Sequence, residues 1–348
     1  MRFRPDHLIL IAVALALAAA PAVLPTYVLF ALTLTLIYAI FAMSLDVLIG
    51  HLGYTSFGHA AYFGVGGYLA IWLGLRLGWS FWPSLAVGLA GVLWVALAFG
   101  AVALRTSGLP FIMITLALGQ ALWGLAHRWA TVTGGDNGLS VSLRPEIPVV
   151  GRLDGTHGFY YFVLIAFVAS FLLLGMILRS PFGLSWRGIR DREIRMQMLG
   201  YNTWLHKYAA YVVSALFGGL AGILNAALTG FVGPDSLALG NSATGILMVI
   251  LGGPGTLVGP ILGAGVIVAM RQVVSSMTER WMLVLGAVYI ATVLFVPGGL
   301  MGLVKRPAGR LAHRAAGPSM PLDGKVASEA EVNAQHGFPQ SPRLRRNS

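Results

Sequence analysis

The sequence predicts an all-α fold: a polytopic transmembrane helix bundle of about 8–10 spans, with interrupted helices and an internal echo suggesting an inverted repeat. Composition carries most of that reading. Of 348 residues, 57% are apolar and only 10% charged, and the mean hydropathy is +0.79. An average soluble domain is about one quarter charged. A soluble fold leaves much of its surface in water and could not hide so much apolar area, so a soluble enzyme is excluded. The 45 glycines agree, because glycine is commoner in membrane helices than in soluble ones. Cysteine is absent, which removes disulfides, thiolate nucleophiles and Cys-ligated metals.

A bilayer core takes about 20 apolar residues per helix. Candidate spans lie at 8–24, 27–49, 56–78, 81–104, 109–129, 159–178, 207–229, 241–273 (interrupted) and 281–297. The first follows Arg2 and Arg4 and ends near Ala18-Ala19-Ala20, which resembles a secretory signal with a small-residue cleavage site. The second run follows almost at once, which favours an uncleaved first span.

Lys and Arg mark the cytoplasmic side. Arg2 and Arg4 put the N-terminus inside, and counting crossings puts Arg105 inside, 130–157 outside and 179–207 inside. The outer segment mixes Arg144 and Arg152 with Asp136, Glu146 and Asp154, whereas 179–207 is the most basic internal loop. Charge and counting therefore agree. The net charge of +11 reflects this topology. A nucleic-acid binder would need a basic face on a water-soluble domain, so the expected partner is the lipid bilayer and no nucleic acid.

Lys305, Arg306, Arg310 and Arg314 place the C-terminal tail inside as well, yet nine simple crossings would leave it outside. The region 241–273 reconciles the two if it breaks at Gly252-Gly253-Pro254-Gly255, ahead of Pro260, into two short spans or a re-entrant pair. Non-helical backbone at that depth is tolerated only against protein or a water-filled cavity. The break is thus either a packing kink or part of a pathway. Residues 1–304 form the transmembrane domain, and 305–348, without apolar periodicity, read as a disordered basic cytoplasmic tail.

Gly50-x-x-Gly53-x-x-Ser56-Phe57 recurs as Gly230-x-x-Gly233-x-x-Ser236-Leu237, with five expected crossings between the copies. An odd number would turn the halves opposite ways, as inverted repeats do in many transporters.

Polar groups inside the spans are few. Asp46 lies near the cytoplasmic end of the second span, followed by His51 and His59. It either caps and pairs locally or belongs to a proton relay. The histidines are too far apart in sequence to share metal-ligand spacing, no H-E-x-x-H is present, and no metal site is expected. Thr55, Ser56 and His59 add hydrogen-bonding groups to the small-residue stretch from Gly53 to Gly67. Thr115 and Gln120 do the same in the fifth span. Each is a substrate-path candidate or a helix–helix contact. No G-x-S-x-G elbow or G-K-[ST] phosphate loop occurs, so no catalytic residue is expected and any ATP is hydrolysed on another chain.

Between Pro181, which can open a helix, and Gly200, which can close one, Phe182, Trp186, Ile189, Met196 and Leu199 fall on one helical stripe. Arg187, Arg190, Asp191, Arg192, Glu193 and Arg195 fill much of the rest. The segment is an amphipathic helix too polar to span, lying on anionic lipid or docking a cytoplasmic protein.

Here the chain resembles a known family. R-G-I-R-D-R-E-I-R-M-Q-M-L-G-Y-N at 187–202, after S-P-F-G at 180–183, is similar to the coupling loop of branched-chain amino acid ABC transporter permeases. G-Y-T-S-F-G-H-A-A-Y-F-G-V-G-G-Y (53–68), G-L-P-F-I-M-I-T-L-A-L-G-Q (108–120), T-G-G-D-N-G-L (133–139), S-A-L-F-G-G-L-A-G (214–222) and L-G-G-P-G-T-L-V-G-P (251–260) fit in the family's order. The resemblance runs from about Asp46 to Leu303.

It implies the membrane subunit of a bacterial inner-membrane importer, with a distinct sister permease, two cytoplasmic ATPases that hold ATP-Mg, and a periplasmic binding protein. This chain would bind no cofactor of its own. The coupling role is carried onto Phe182, Trp186, Arg187, Ile189, Arg190, Asp191, Arg192, Glu193, Leu199 and Gly200. Asp136 and Asn137, in the outer polar stretch, would meet the delivered substrate, and the helix break is Gly252, Gly253, Gly255 and Pro260. Gly188 stands where the family usually has Ala, and Arg192 and Arg195 make the helix more basic than is typical. The rival reading is an ion-coupled secondary transporter of a small polar solute, working alone.

Overall fold

The long apolar runs become helices. The structure, a computed structural model, describes residues 17–147, 151–153, 155–277 and 299–304 and positions 283, 286, 287 and 290. Most of the expected first and last spans, and the tail 305–348, lie outside the described residues. Among the described residues six helices are long and apolar enough to cross a membrane. They are α1 (Thr26–Asp46, continued by a π-helical turn over Val47–Leu52), α2 (His59–Leu77), α3 (Phe81–Ala103), α4 (Leu109–Arg128), α5 (Thr156–Arg179) and α7 (Thr203–Thr229), with α6 (Pro181–Met198) between the last two. They fall on the spans read from hydropathy at 27–49, 56–78, 81–104, 109–129, 159–178 and 207–229.

The interrupted region resolves into α8 (Leu239–Gly252) and α9 (Val258–Met277), followed by the short α10 (Gly299–Val304). α8 and α9 fold back on each other as a hairpin. A Cβ at Gly252 would overlap the Gly259 carbonyl oxygen, and one at Gly263 would overlap that of Met248. The missing side chains let the backbones touch, as small residues do in membrane packing.

The interior is built from α1, α2 and α7, in which 67%, 61% and 61% of the most apolar stretch is buried, against 28%, 22% and 28% for α3, α4 and α5. Lipid is as good a solvent for Leu as the protein interior, so hydrophobicity alone does not choose these neighbours. Small residues do. A Cβ at Gly222 of α7 would overlap the Phe63 carbonyl of α2, and one at Gly66 would press on the Gly219 carbonyl. Some hydroxyls in the spans bond within their own helix: Thr33 Oγ1 donates to the Leu29 carbonyl at 2.7 Å and Ser170 Oγ to that of Ala166 at 2.7 Å.

Where chain lies beyond the spans it forms short ladders. β1 (Leu139–Ser140) pairs antiparallel with β4 (Phe231–Val232), and β2 (Glu146–Ile147) with β3 (Gly151–Arg152).

The echo has a structural counterpart in a different register. Thr26–Leu52 and Thr203–Thr229 are both 27 residues long, and each stops at a left-handed glycine, Gly53 (φ 81°) and Gly230 (φ 66°). They run antiparallel. Ser214 donates to the Ser44 carbonyl, while Lys207, near the start of α7, reaches Tyr54, just past the end of the first segment, at 3.3 Å. The sequence match aligned Gly50 with Gly230; the helix ends align Gly53 with Gly230.

Candidate functional site

α6 opens at Pro181, and Gly200 (φ 84°) turns the chain away after it. One side of the helix is fastened to the bundle, against α5, α7 and the 47–52 turn. Trp186 and Ile189 are buried. Arg187 Nη2 donates to the Leu178 carbonyl at 2.9 Å, and Arg190 Nη1 donates to the Gly50 carbonyl. Glu193 accepts from Lys207 Nζ at 2.7 Å and from Thr203 Oγ1 at 3.0 Å. Lys207 is only 7% exposed, so the cationic end of this ion pair is enclosed while Glu193 stays partly exposed.

The opposite side is open. Phe182, Leu184, Ile194, Met198 and Leu199 are exposed, as are Asp191, Arg192 and Gly200. The expected single stripe does not form, because the backbone leaves helical geometry at Arg192 (φ −158°, ψ 99°). The kink separates Trp186 and Ile189, which face inward, from Leu199, which does not. Met196 folds back toward Gly188, where a Cβ would lie 2.7 Å from its sulfur.

Beside α6 the helix break is held by Asp46. The carboxylate is fully buried. Its Oδ1 accepts the Gly255 N–H at 2.6 Å and its Oδ2 the Leu257 N–H at 3.3 Å. Leu257 is left-handed (φ 56°), strained for a branched residue, and that amide bond helps to hold it. His51 Nδ1 lies 3.3 Å from the Asp46 carbonyl and 3.7 Å from its carboxylate. Asp46 is thus engaged locally: it satisfies backbone amides freed where α8 stops. A Cβ at Gly50 would overlap both Asp46 Oδ1 and Gly255 N. One knot therefore joins the end of α1, the break at Gly252, Gly253 and Gly255, and Arg190 of α6. Pro260 is buried in the first turn of α9.

The sequence-named path candidates do not gather in one cavity. His59 is fully buried, its Nε2 2.9 Å from Ser44 Oγ. Ser56 is buried, Thr55 half-buried, and Thr115 Oγ1 accepts the Phe57 N–H at 3.3 Å, which pins the 53–58 loop to α4. Gln120 lies on a different stretch of α4, beside Trp123 and His127. Asp136 and Asn137 are exposed, and Asp136 pairs with His127 at 2.7 Å. Among the described residues no group of three or more His, Asp or Glu could hold a metal.

A different set of polar residues does converge. A cavity of about 510 Å³ is lined by Tyr38 of α1, Phe63 of α2, Asn225 of α7, Asp235 of the 234–237 turn, Asn241 and Leu247 of α8 and Arg271 of α9, with small residues between them. Tyr38 is hydrogen-bonded to the Arg271 guanidinium. Asn241 Nδ2 donates to the Ser236 carbonyl at 3.2 Å. The sequence reading passed over these residues because they are scattered singly over several spans and one turn. The one available signal was the rarity of charge within a span, which marks function by default.

Long apolar helices around a polar cavity, with a polar helix fastened outside the spans, define a polytopic membrane transport protein. Residues 27–293 match the model of the branched-chain amino acid transport system permease component. The chain is 31% identical over 308 residues to the high-affinity branched-chain amino acid permease LivM of Escherichia coli (strain K12), covering 82% of this chain and 72% of LivM. It is 24% identical over 292 residues to LivH of the same organism, covering 78% and 92%. A shorter match, 30% over 77 residues, links it to the guanosine ABC transporter permease NupQ of Bacillus subtilis, 22% of this chain and 24% of NupQ. No solved structure matches. The chain belongs to the branched-chain amino acid permease family and is a membrane permease subunit of an ABC importer.

Proposed function

We propose that this permease translocates branched-chain or related amino acids handed over by a periplasmic binding protein, paired with a distinct sister permease and driven by two cytoplasmic ATPases carrying ATP-Mg. The chain itself holds no cofactor and catalyses no reaction. The N-terminus, α6 and the tail face the cytoplasm of a bacterial inner membrane, and Asp136 and Asn137 face the delivering protein.

The observation that supports this most is the two-sidedness of α6. Its inner side is fastened by Arg190 and Glu193, while Ile194, Met198 and Leu199 are exposed. A polar helix with an exposed apolar side suits a cleft in a partner. Nucleotide acts only through a difference in affinity for two bundle states, and moving a population from 1:99 to 99:1 takes about 5.5 kcal/mol. ATP-driven closure of the partners would supply that bias at α6. The Arg190–Gly50 and Asp46–Gly255 contacts would pass it to the α8–α9 hairpin.

The test is the double variant Met198→Asp with Leu199→Asp, both exposed and outside the core. The expected result is loss of ATPase co-purification and of uptake, with normal membrane insertion. Full co-purification and uptake would refute the docking role.

A further inference from the structure

Resting on the importer reading, we propose that the cavity between α1, α7, α8 and α9 is a transit site for a zwitterionic α-amino carboxylate, with Arg271 and Tyr38 receiving the carboxylate and Asp235 and Asn241 the ammonium.

The argument is one of donor and acceptor placement. Arg has only donors. Its bond to Tyr38 therefore uses the phenol oxygen as acceptor and leaves the Tyr38 O–H as a further donor beside the guanidinium. Guanidinium and hydroxyl together make a donor pair, and a guanidinium fork matches a carboxylate. Asp235, which lines the same cavity, offers a carboxylate. Asn241 spends one of its amide N–H groups on the Ser236 carbonyl, and its side-chain oxygen is an acceptor. The lining thus combines groups that give hydrogen bonds, Arg271 and Tyr38, with groups that take them, Asp235 and Asn241, as a ligand with an anionic and a cationic end requires. The two charged lining groups sum to zero, as a zwitterion does. Phe63 and Leu247 line the same volume and suit an aliphatic side chain. By contrast, the cavity of about 520 Å³ bounded by Trp72, Trp94 and Trp129 has no charged lining residue. The polar cavity also lies at the far end of α8 from the Asp46 knot, so a change of α8 tilt would reshape it.

A photoreactive diazirine analogue of L-leucine, applied to the complete transporter in liposomes and mapped by mass spectrometry, tests this directly. Labelling is expected within 240–247 and to be competed by leucine, but not by isoamylamine or 4-methylpentanoate, which lack one charged end. Hydrogen bonds to charged groups correspond to about tenfold or more in occupancy. Arg271→Gln and Asp235→Asn should each lower labelling by at least that factor while ATPase co-purification stays normal, and Arg271→Lys should recover part of it. Ala243→Trp, which fills the cavity without altering charge, should also abolish it. Labelling elsewhere, labelling unchanged in both charge variants, or equal competition by the amine or the acid overturns the proposal. Leucine uptake by the wild-type complex tests the importer reading separately. Uptake at full rate in both charge variants removes the cavity and leaves that reading intact, whereas a wild-type complex that moves only solutes lacking either charge removes both.

Discussion

The knot at Asp46 and the cavity at Arg271 are both polar places in an apolar bundle, and they are wired differently. At the knot, and at the neighbouring fastening of α6, the partners are internal: the carboxylate accepts from two backbone N–H groups, Arg190 donates to a backbone carbonyl, and Lys207 donates to Glu193. At the cavity, Asp235, Asn225, Asn241 and Arg271 line open volume. Polar groups enclosed with their partners hold elements together and transmit displacement; polar groups that also line a cavity can meet a ligand as well as their neighbours. Substitutions at the knot should therefore cost stability, and substitutions at the cavity should cost transport alone.

The largest expected effect is Asp46→Ala. It strands the N–H groups of Gly255 and Leu257, and each unsatisfied buried group costs about 1–3 kcal/mol. A loss of about 3 kcal/mol is expected, read as a lowered unfolding midpoint of the purified complex together with loss of uptake. Asp46→Asn keeps an acceptor oxygen and should retain substantial uptake. Complete loss in that variant, at normal expression, would restore the proton-relay reading that the present geometry disfavours.

Next comes Lys207→Met. It removes the cation and leaves the Glu193 carboxylate with the Thr203 hydroxyl as donor. Breaking a fully buried pair costs about 3–5 kcal/mol. Glu193 is 30% exposed and keeps some water, so about 1–2 kcal/mol is expected. The double variant Lys207→Met with Glu193→Leu should recover most of the stability but not the uptake, because the fastening of α6 is gone. A double variant no more stable than Lys207→Met alone would mean that the pair contributes through something other than its charge.

At the cavity, Asn225→Ala should shift the unfolding midpoint hardly at all, by less than about 0.5 kcal/mol, since polar side chains lining open volume add little to packing. A loss comparable to that of Asp46→Ala would erase the distinction between the two regions.

How much of this was legible beforehand follows the same division. The spans were readable because hydropathy measures what lipid demands of each segment, and the break at Gly252–Gly255 because parity required one. The outward residues of α6 were half readable. Periodicity placed Trp186 and Ile189 on one face but carried that face past Arg192, where the backbone kinks. Thr55, Ser56, His59 and Thr115 stood out as polar groups clustered in sequence, and the structure sets them between packed helices. The cavity residues Tyr38, Asn225, Asp235, Asn241 and Arg271 were illegible. Their proximity is a property of how α1, α7, α8 and α9 cross, and no local spacing encodes that.

The smallest effect concerns Gly188, inside the first part of α6. Alanine in a helix is favoured over glycine by about 1 kcal/mol, so Gly188→Ala should by itself firm the helix. The new Cβ would meet the Met196 sulfur at 2.7 Å, which forces that side chain aside. Met is unbranched and adapts at little cost. The two effects oppose each other, and a change within about 0.5 kcal/mol of zero is expected in the unfolding midpoint. The informative readout is ATPase affinity. Met196 packs across the kink at Arg192, so displacing it should loosen the angle between the two parts of α6 and weaken docking severalfold even where stability is unmoved. Unchanged affinity would mean that the kink is set by the Glu193–Lys207 fastening alone.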